Sequence, residues 1–206
     1  MLNKKVCILD YGSGNVKSVY NMFLTLNCDA IISNDIDEIK SSTHIVLPGV
    51  GAFGASIIKI KKKIPLQGLK NEVFKDKKPF LGICVGMQVL FEKGYEFEEH
   101  EGLCWIPGDI RKIDSKELSL PHIGWNNIMV KKREGLMKNI NDDLDFYFVH
   151  SYALSDISNN YAIGITEYGH LFVSVVQKDN IYGVQFHPEK SQKAGALLLK
   201  NFLEIQ

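Results

Sequence analysis

Hydrophobic positions in the first 84 residues fall in short unbroken runs separated by stretches with helical spacing. "KVCILD" (5–10), "AIIS" (30–33), "HIVLPG" (44–49) and "PFLGIC" (79–84) are apolar almost throughout rather than alternating. Runs of that kind are strands covered on both faces. Between the first two, Val16, Val19, Tyr20, Phe23, Leu24 and Leu26 recur at helical intervals. This spacing predicts a helix beginning near Val16, with Asn15 placed to cap it. A second helix of about 15–20 residues fits between Gly54 and Phe74, broken or kinked at Pro65 because proline lacks the amide proton a helix interior needs. Strands alternating with helices imply βαβ units and a parallel sheet.

The second half has a different rhythm. "IPGDIRKI" (106–113), "IGWNNIMV" (123–130), "LDFYFVHSY" (144–152), "YAIGITEYG" (161–169), "LFVSVVQ" (171–177) and "IYGVQFH" (181–187) are short strand-like runs between turn residues. "SQKAGALLLKNFLEI" (191–205) then reads as an amphipathic helix. No Pro/Ser/Gly-rich linker, repeat or low-complexity tract divides the chain. The expectation is one α/β domain over residues 1–206, with a mostly parallel central sheet flanked by helices and a β-rich second half.

Composition narrows the class without changing this picture. Of 206 residues 45% are hydrophobic, as in an ordinary globular protein. Lys plus Arg and Asp plus Glu are 24 each, so no overall field points to nucleic acid or an anionic membrane. The lysine run "KIKKK" (59–63) reads as a solvated helix face. No run approaches the roughly 18 apolar residues of a membrane span, and two lysines lead directly into the first strand with no leader-like hydrophobic stretch. Cys7, Cys28, Cys84 and Cys104 form no CxxC pair, which argues against a metal site or a disulfide framework. A cytoplasmic protein with reduced thiols is expected.

The candidate chemistry starts at "GICVG" (82–86), where Cys84 lies between two glycines after a buried strand. This has the shape of a nucleophile elbow, a tight turn that lifts a side chain to the edge of the sheet. The Val85 N–H at the start of the following helix would face the same point and could stabilise a thiolate or an oxyanion. Taken alone, the stretch reads equally well as a small buried thiol among packing glycines. A cysteine nucleophile needs a base, and the base an orienting group. "YGVQFHPEKS" (182–191) supplies both: His187 at a strand end, then Glu189 beyond Pro188. A third segment, "LPGVGAFG" (47–54), lacks the phosphate-loop Lys-Ser/Thr and fits an oxyanion strand presenting backbone N–H groups.

Together these segments resemble class I, triad-type glutamine amidotransferases. The flavodoxin-like fold of that class is the fold the resemblance implies. The likeness runs nearly end to end through "DYGSGNVKSV" (10–19), "LPGVGAFG", "PFLGICVGMQVLFE" (79–92), "PHIGWN" (121–126), "YFVHSY" (147–152) and "YGVQFHPEKSQKAG" (182–195). The "PGVGAFG", "PHIGWN" and "FVHSY" stretches narrow it to the glutaminase subunits of imidazole glycerol phosphate synthase. Val85 stands where leucine is usual there, and Ser13 where methionine is common; neither touches the triad.

The resemblance implies that Cys84 attacks the glutamine amide, that His187 moves the proton and that Glu189 orients His187. It implies an oxyanion site from Val85 and the Gly49, Val50 and Gly51 segment, with a flip of that segment as a plausible switch. It also implies glutamine-binding positions at Gln88, Glu96, Ser151 and Tyr152, and neither a metal nor another cofactor. His150 is given no catalytic role. The ammonia needs a second active site, and the roughly 250 residues of a TIM barrel do not fit in this chain, so a separate TIM-barrel cyclase (HisF-type) is implied as heterodimer partner. Trp125, Tyr147 and Lys190 match positions facing it. Two other readings stay open: a paralogue supplying ammonia for amidation of a bacterial surface sugar, and a catalytically silent interaction subunit.

Overall fold

The computed structural model describes residues 4–206. In chain order the elements are β1 (Lys5–Ile8), α1 (Val16–Thr25), β2 (Asp29–Ile32), α2 (Ile36–Ser41), β3 (His44–Gly49), α3 (Phe53–Lys63), α4 (Leu66–Lys70), β4 (Phe80–Cys84) and α5 (Val85–Gln88). There follow β5 (Lys93–Gly94), β6 (His100–Glu101), β7 (Asp109–Lys112), β8 (His122–Asn127), β9 (Met129–Val130), β10 (Asp145–His150) and β11 (Tyr152–Leu154). The chain closes with β12 (Ala162–Tyr168), β13 (His170–Lys178), β14 (Ile181–Val184) and α6 (Gln192–Glu204).

The four apolar runs of the first half become adjacent strands. The order β2-β1-β3-β4-β14 is parallel throughout. Every residue of β3, β4 and β14 is buried, as strands covered on both faces must be. Beyond β14 the sheet turns antiparallel through β13, β11 and β7, with β12 on the other edge of β13. The α/β architecture and the β-rich second half are as the sequence pattern implies.

Local departures have identifiable causes. Pro65 does break the expected helix: α3 stops at Lys63, α4 runs from Leu66, and residues 71–75 form a wider π turn. The lysine run lies exposed at the end of α3, where the helix dipole favours cations. Asn15 stands at the start of α1, but its side chain makes no capping hydrogen bond. The run 123–130 is two strands, because β8 pairs with β10 in a separate ribbon while β9 pairs with β12. The run 144–152 is likewise split at Ser151 into β10 and β11, which belong to different sheets. A hydrophobic pattern records burial, not partner, so it carries no signal of a strand leaving one sheet for another. β14 ends at Val184, three residues short of His187. The acidic stretch "EKGYEFEEHE" contributes the short edge strands β5 and β6.

Candidate active site

Parallel strands deliver their loops to one edge, and ligands of such sheets bind beyond the carboxyl ends. Here the register pairs Gly49 at the end of β3 with Cys84 at the end of β4. On the other side of β4, Val184 of β14 pairs with Ile83, and the chain continues from there to His187. The three segments singled out in the sequence thus meet at the same edge.

Cys84 has φ 55° and ψ −114°, a left-handed backbone unusual for a residue with a side chain. The strain is held by close packing behind it. A Cβ on Gly86 would run into the Leu47 carbonyl oxygen, so this turn can approach β3 only with glycine there. Val85 begins α5, where helix geometry leaves its N–H without an intrahelical acceptor.

His187 is fixed from two directions. Its backbone N–H donates to the Tyr147 carbonyl at 2.8 Å. Its Nδ1 lies 2.8 Å from Glu189 Oε1, both side chains being 1% exposed. The Nε2 is buried and makes no hydrogen bond, which leaves it for the thiol beside it. Burial disfavours a charged imidazole, but the Cys84 sulfur as thiolate and then Glu189 outweigh it, and the His187 pKa is pushed up to about 10. Burial likewise disfavours the Glu189 carboxylate, yet His187 and then Asn15 hold its pKa below the ordinary value. The arrangement favours an imidazolium at His187 backed by the Glu189 carboxylate.

A cavity opens on this group. Its walls are Val50, Gly51, Val85, Gln88, Glu96, Ser151 and Tyr152 together with Cys84 and His187, so most of the proposed substrate residues are brought together. Gly49 is not in the wall; it packs behind, against Gly86 and the Tyr11 hydroxyl. Val149 and His150 complete the lining. Glu96 accepts the Phe53 N–H at 2.7 Å through Oε2, which ties the acidic stretch to the start of α3.

The sequence pattern of "Glutamine amidotransferase class-I" matches residues 7–205. The chain belongs to that family. "Imidazole glycerol phosphate synthase subunit HisH" of Salinibacter ruber is 45% identical, covering 96% of this chain and 93% of its own. The protein of the same name from Lactococcus lactis is 43% identical, with 98% of each chain covered. That from Methanothermobacter thermautotrophicus is 40% identical over 97% of this chain and 98% of its own. Among solved structures, PurLQS from Thermotoga maritima superposes with a TM-score of 0.76 at 15% identity, covering 98% of this chain and 99% of that one. A glutamine amidotransferase from Thermotoga maritima gives 0.63 at 17%, covering 99% and 85%. At such identities the structural likeness concerns the fold alone.

Two buried glutamines stand behind Cys84 of this amidotransferase. Gln88 Nε2 donates to the Tyr152 carbonyl at 2.8 Å and to Gln185 Oε1 at 3.1 Å, which leaves its own oxygen free. Gln185 Nε2 in turn donates to Cys84 Sγ at 3.8 Å. Sequence reasoning passed over Gln185; its signal was a lone amide in the apolar run "YGVQF". Tyr11 was also missed. Its hydroxyl is buried beside Ser56 and the Val50 N–H without reaching hydrogen-bonding geometry to either, and burial pushes its pKa up to about 12.

The Tyr152 carbonyl has a second donor, His150 Nδ1, at 3.0 Å. Only a protonated nitrogen can bond a carbonyl, so His150 Nε2 is the acceptor for His122 Nδ1 at 3.2 Å. His122 Nε2 then accepts from Asn126 at 3.4 Å. His150 is therefore part of the scaffold behind the cavity wall. Outside the cavity, Trp125 of β8 stands opposite Tyr147 of β10, their rings 5.9 Å apart, with the exposed Lys190 ammonium 5.4 Å over the tyrosine.

Proposed function

We propose that this chain is the glutaminase subunit of an imidazole glycerol phosphate synthase. The buried His187–Glu189 pair facing Cys84 across a small cavity is the observation that carries the reading. The Cys84 thiolate attacks the side-chain carbonyl carbon of glutamine. The oxyanion is held by the Val85 N–H and by a backbone N–H of the Pro48–Gly51 segment. As the tetrahedral adduct collapses, the C–N bond breaks, His187 gives its proton to the nitrogen, and ammonia leaves a γ-glutamyl thioester. Water, deprotonated by His187, then hydrolyses the thioester to glutamate and restores the thiolate. Gln88, Glu96, Ser151 and Tyr152 hold the substrate's polar ends. Each step is carried by groups of this chain.

Ammonia released to water is protonated and no longer nucleophilic, so it must pass directly to a second site. The face around the cavity mouth suits that transfer. Ile123 (60% exposed) and Trp125 (48%) stand opposite Val149 and Tyr147, with Lys190 at the rim. Exposed aromatics of this kind anchor interfaces, and the proposed occupant is a separate TIM-barrel cyclase that uses the ammonia to make imidazole glycerol phosphate. The names of the relatives favour imidazole glycerol phosphate synthesis, and with it histidine biosynthesis, over amidation of a surface sugar. The intact triad speaks against a silent subunit.

Constant hydrolysis would waste glutamine, and the oxyanion segment offers a switch. Gly51 has φ 94°, and glycine tolerates φ of either sign, so this position accepts the dihedrals that a turned peptide needs. We assign low activity to the isolated chain and full activity to the complex with acceptor ligand bound. One oxyanion donor is worth roughly 10²–10³ in rate, so glutamate release should rise by at least about that factor from chain alone to complex with acceptor. Equal rates in the two states would remove the switch.

A further inference from the structure

Asn15 stands where a helix N-cap belongs, and its carbonyl accepts the Val19 N–H at 3.0 Å as a cap residue's should. Its side chain, however, turns away from α1. Asn15 Nδ2 donates to Glu189 Oε1 at 3.1 Å, across 174 positions of sequence. This is the same carboxylate oxygen that lies 2.8 Å from His187 Nδ1. Glu189 Oε2 is buried and has no hydrogen-bond partner. The orientation of the carboxylate therefore depends on two donors at one oxygen, one of them from Asn15.

The turn that carries Asn15 is itself held firmly. The Asp10 N–H donates to Asn34 Oδ1 at 2.9 Å and the Gly12 N–H to Asp10 Oδ1 at 2.8 Å. Gly14 packs so closely on β3 that a Cβ there would lie 3.1 Å from the Pro48 carbonyl oxygen. The donor is thus delivered to Glu189 from a fixed position next to the oxyanion segment.

On the reading of this site as a glutaminase, we propose that Asn15 is a positioning residue of the triad: it fixes the Glu189 carboxylate so that His187 presents Nε2 to Cys84. A helix-capping role and this role make opposite predictions for aspartate, which caps a helix as well as asparagine. In the positioning role, Asn15→Asp places a second carboxylate against Glu189, where like charges force one of the pair to keep its proton. Around Glu189 the bonded titratable group is His187, with Cys84 beyond it, so a shift of the acid limb reports on the triad.

The test measures glutamine hydrolysis against pH for the wild type, Asn15→Ala and Asn15→Asp, each in complex with the cyclase. Cys84→Ala runs alongside as a control. Both Asn15 variants should lose at least about 10-fold in kcat with KM for glutamine unchanged, the scale seen when a group orienting a reactive side chain is removed. Asn15→Asp should be the slower of the two, with its acid limb moved to higher pH. Aspartate matches asparagine in size and is equally favoured at a helix start, so Asn15→Asp tests the proposal even if Asn15→Ala does not fold. An Asn15→Asp enzyme with the wild-type rate and pH profile would reduce Asn15 to a helix cap. A Cys84→Ala protein that still hydrolyses glutamine would instead overturn the glutaminase reading on which the proposal rests.

Discussion

Cys84 holds a backbone conformation that most side chains avoid, and its neighbours make that possible. The strain is local, but what the sulfur can do depends on His187, and what His187 can do depends on Glu189. In the proposed mechanism the carboxylate charge of Glu189 stabilises an imidazolium at His187. Glu189→Gln keeps the shape and removes the charge. It should lower kcat by roughly 10²–10⁴, the worth of a positioned acid–base group, while the melting temperature changes little. A near-normal steady-state rate would show that His187 is oriented by something else. At this scale the sequence was readable wherever chemistry needs a rare combination of residues, as in "GICVG" and "HPE". It was not readable for Asn15 and Gln185. An asparagine before a helix is an ordinary cap, and nothing in its spacing points to a carboxylate 174 residues away.

Elements were legible in proportion to how local their causes are. The buried parallel strands declare themselves because apolar runs have few other uses, and Pro65 ends α3 by its own chemistry. The β8–β10 ribbon does not declare itself, since its separation from the main sheet is decided by pairing between segments far apart. That ribbon carries a pH dependence. Burial lowers the pKa of His150 to about 3 and of His122 to about 4, from an ordinary 6.5. Both are neutral in the folded protein at pH 7, as their hydrogen bonds require. The unfolded chain takes up protons near pH 6.5 and the folded chain only well below. The stability they contribute is therefore present above pH 6.5 and is lost as pH falls from 6.5 towards 4, at up to about 1.4 kcal/mol per pH unit for each. Urea unfolding at pH 7.5, 6.0 and 5.0 checks this: the fall should be shallower in His122→Asn than in the wild type. Identical slopes would place these histidines outside the cause of acid instability.

The whole molecule is an α/β sheet whose carboxyl edge holds the candidate triad and whose side ribbon borders the cavity mouth. The proposed division of labour follows from that placement, with ammonia made at the sheet edge and passed across the ribbon to a partner. If Trp125 is an interface anchor, Trp125→Ala should weaken assembly with the cyclase by about 2 kcal/mol or more. With the indole already 48% exposed, the isolated chain should stay folded. An isolated variant that unfolds would return Trp125 to the core. The central claim, that glutamine is opened at Cys84, is tested most directly by assaying the Cys84→Ala complex with two nitrogen sources. With glutamine, neither glutamate nor imidazole glycerol phosphate should form; with ammonium salt, synthesis by the partner should proceed near the wild-type rate. Glutamate released from glutamine at a substantial rate by the Cys84→Ala complex would contradict the account.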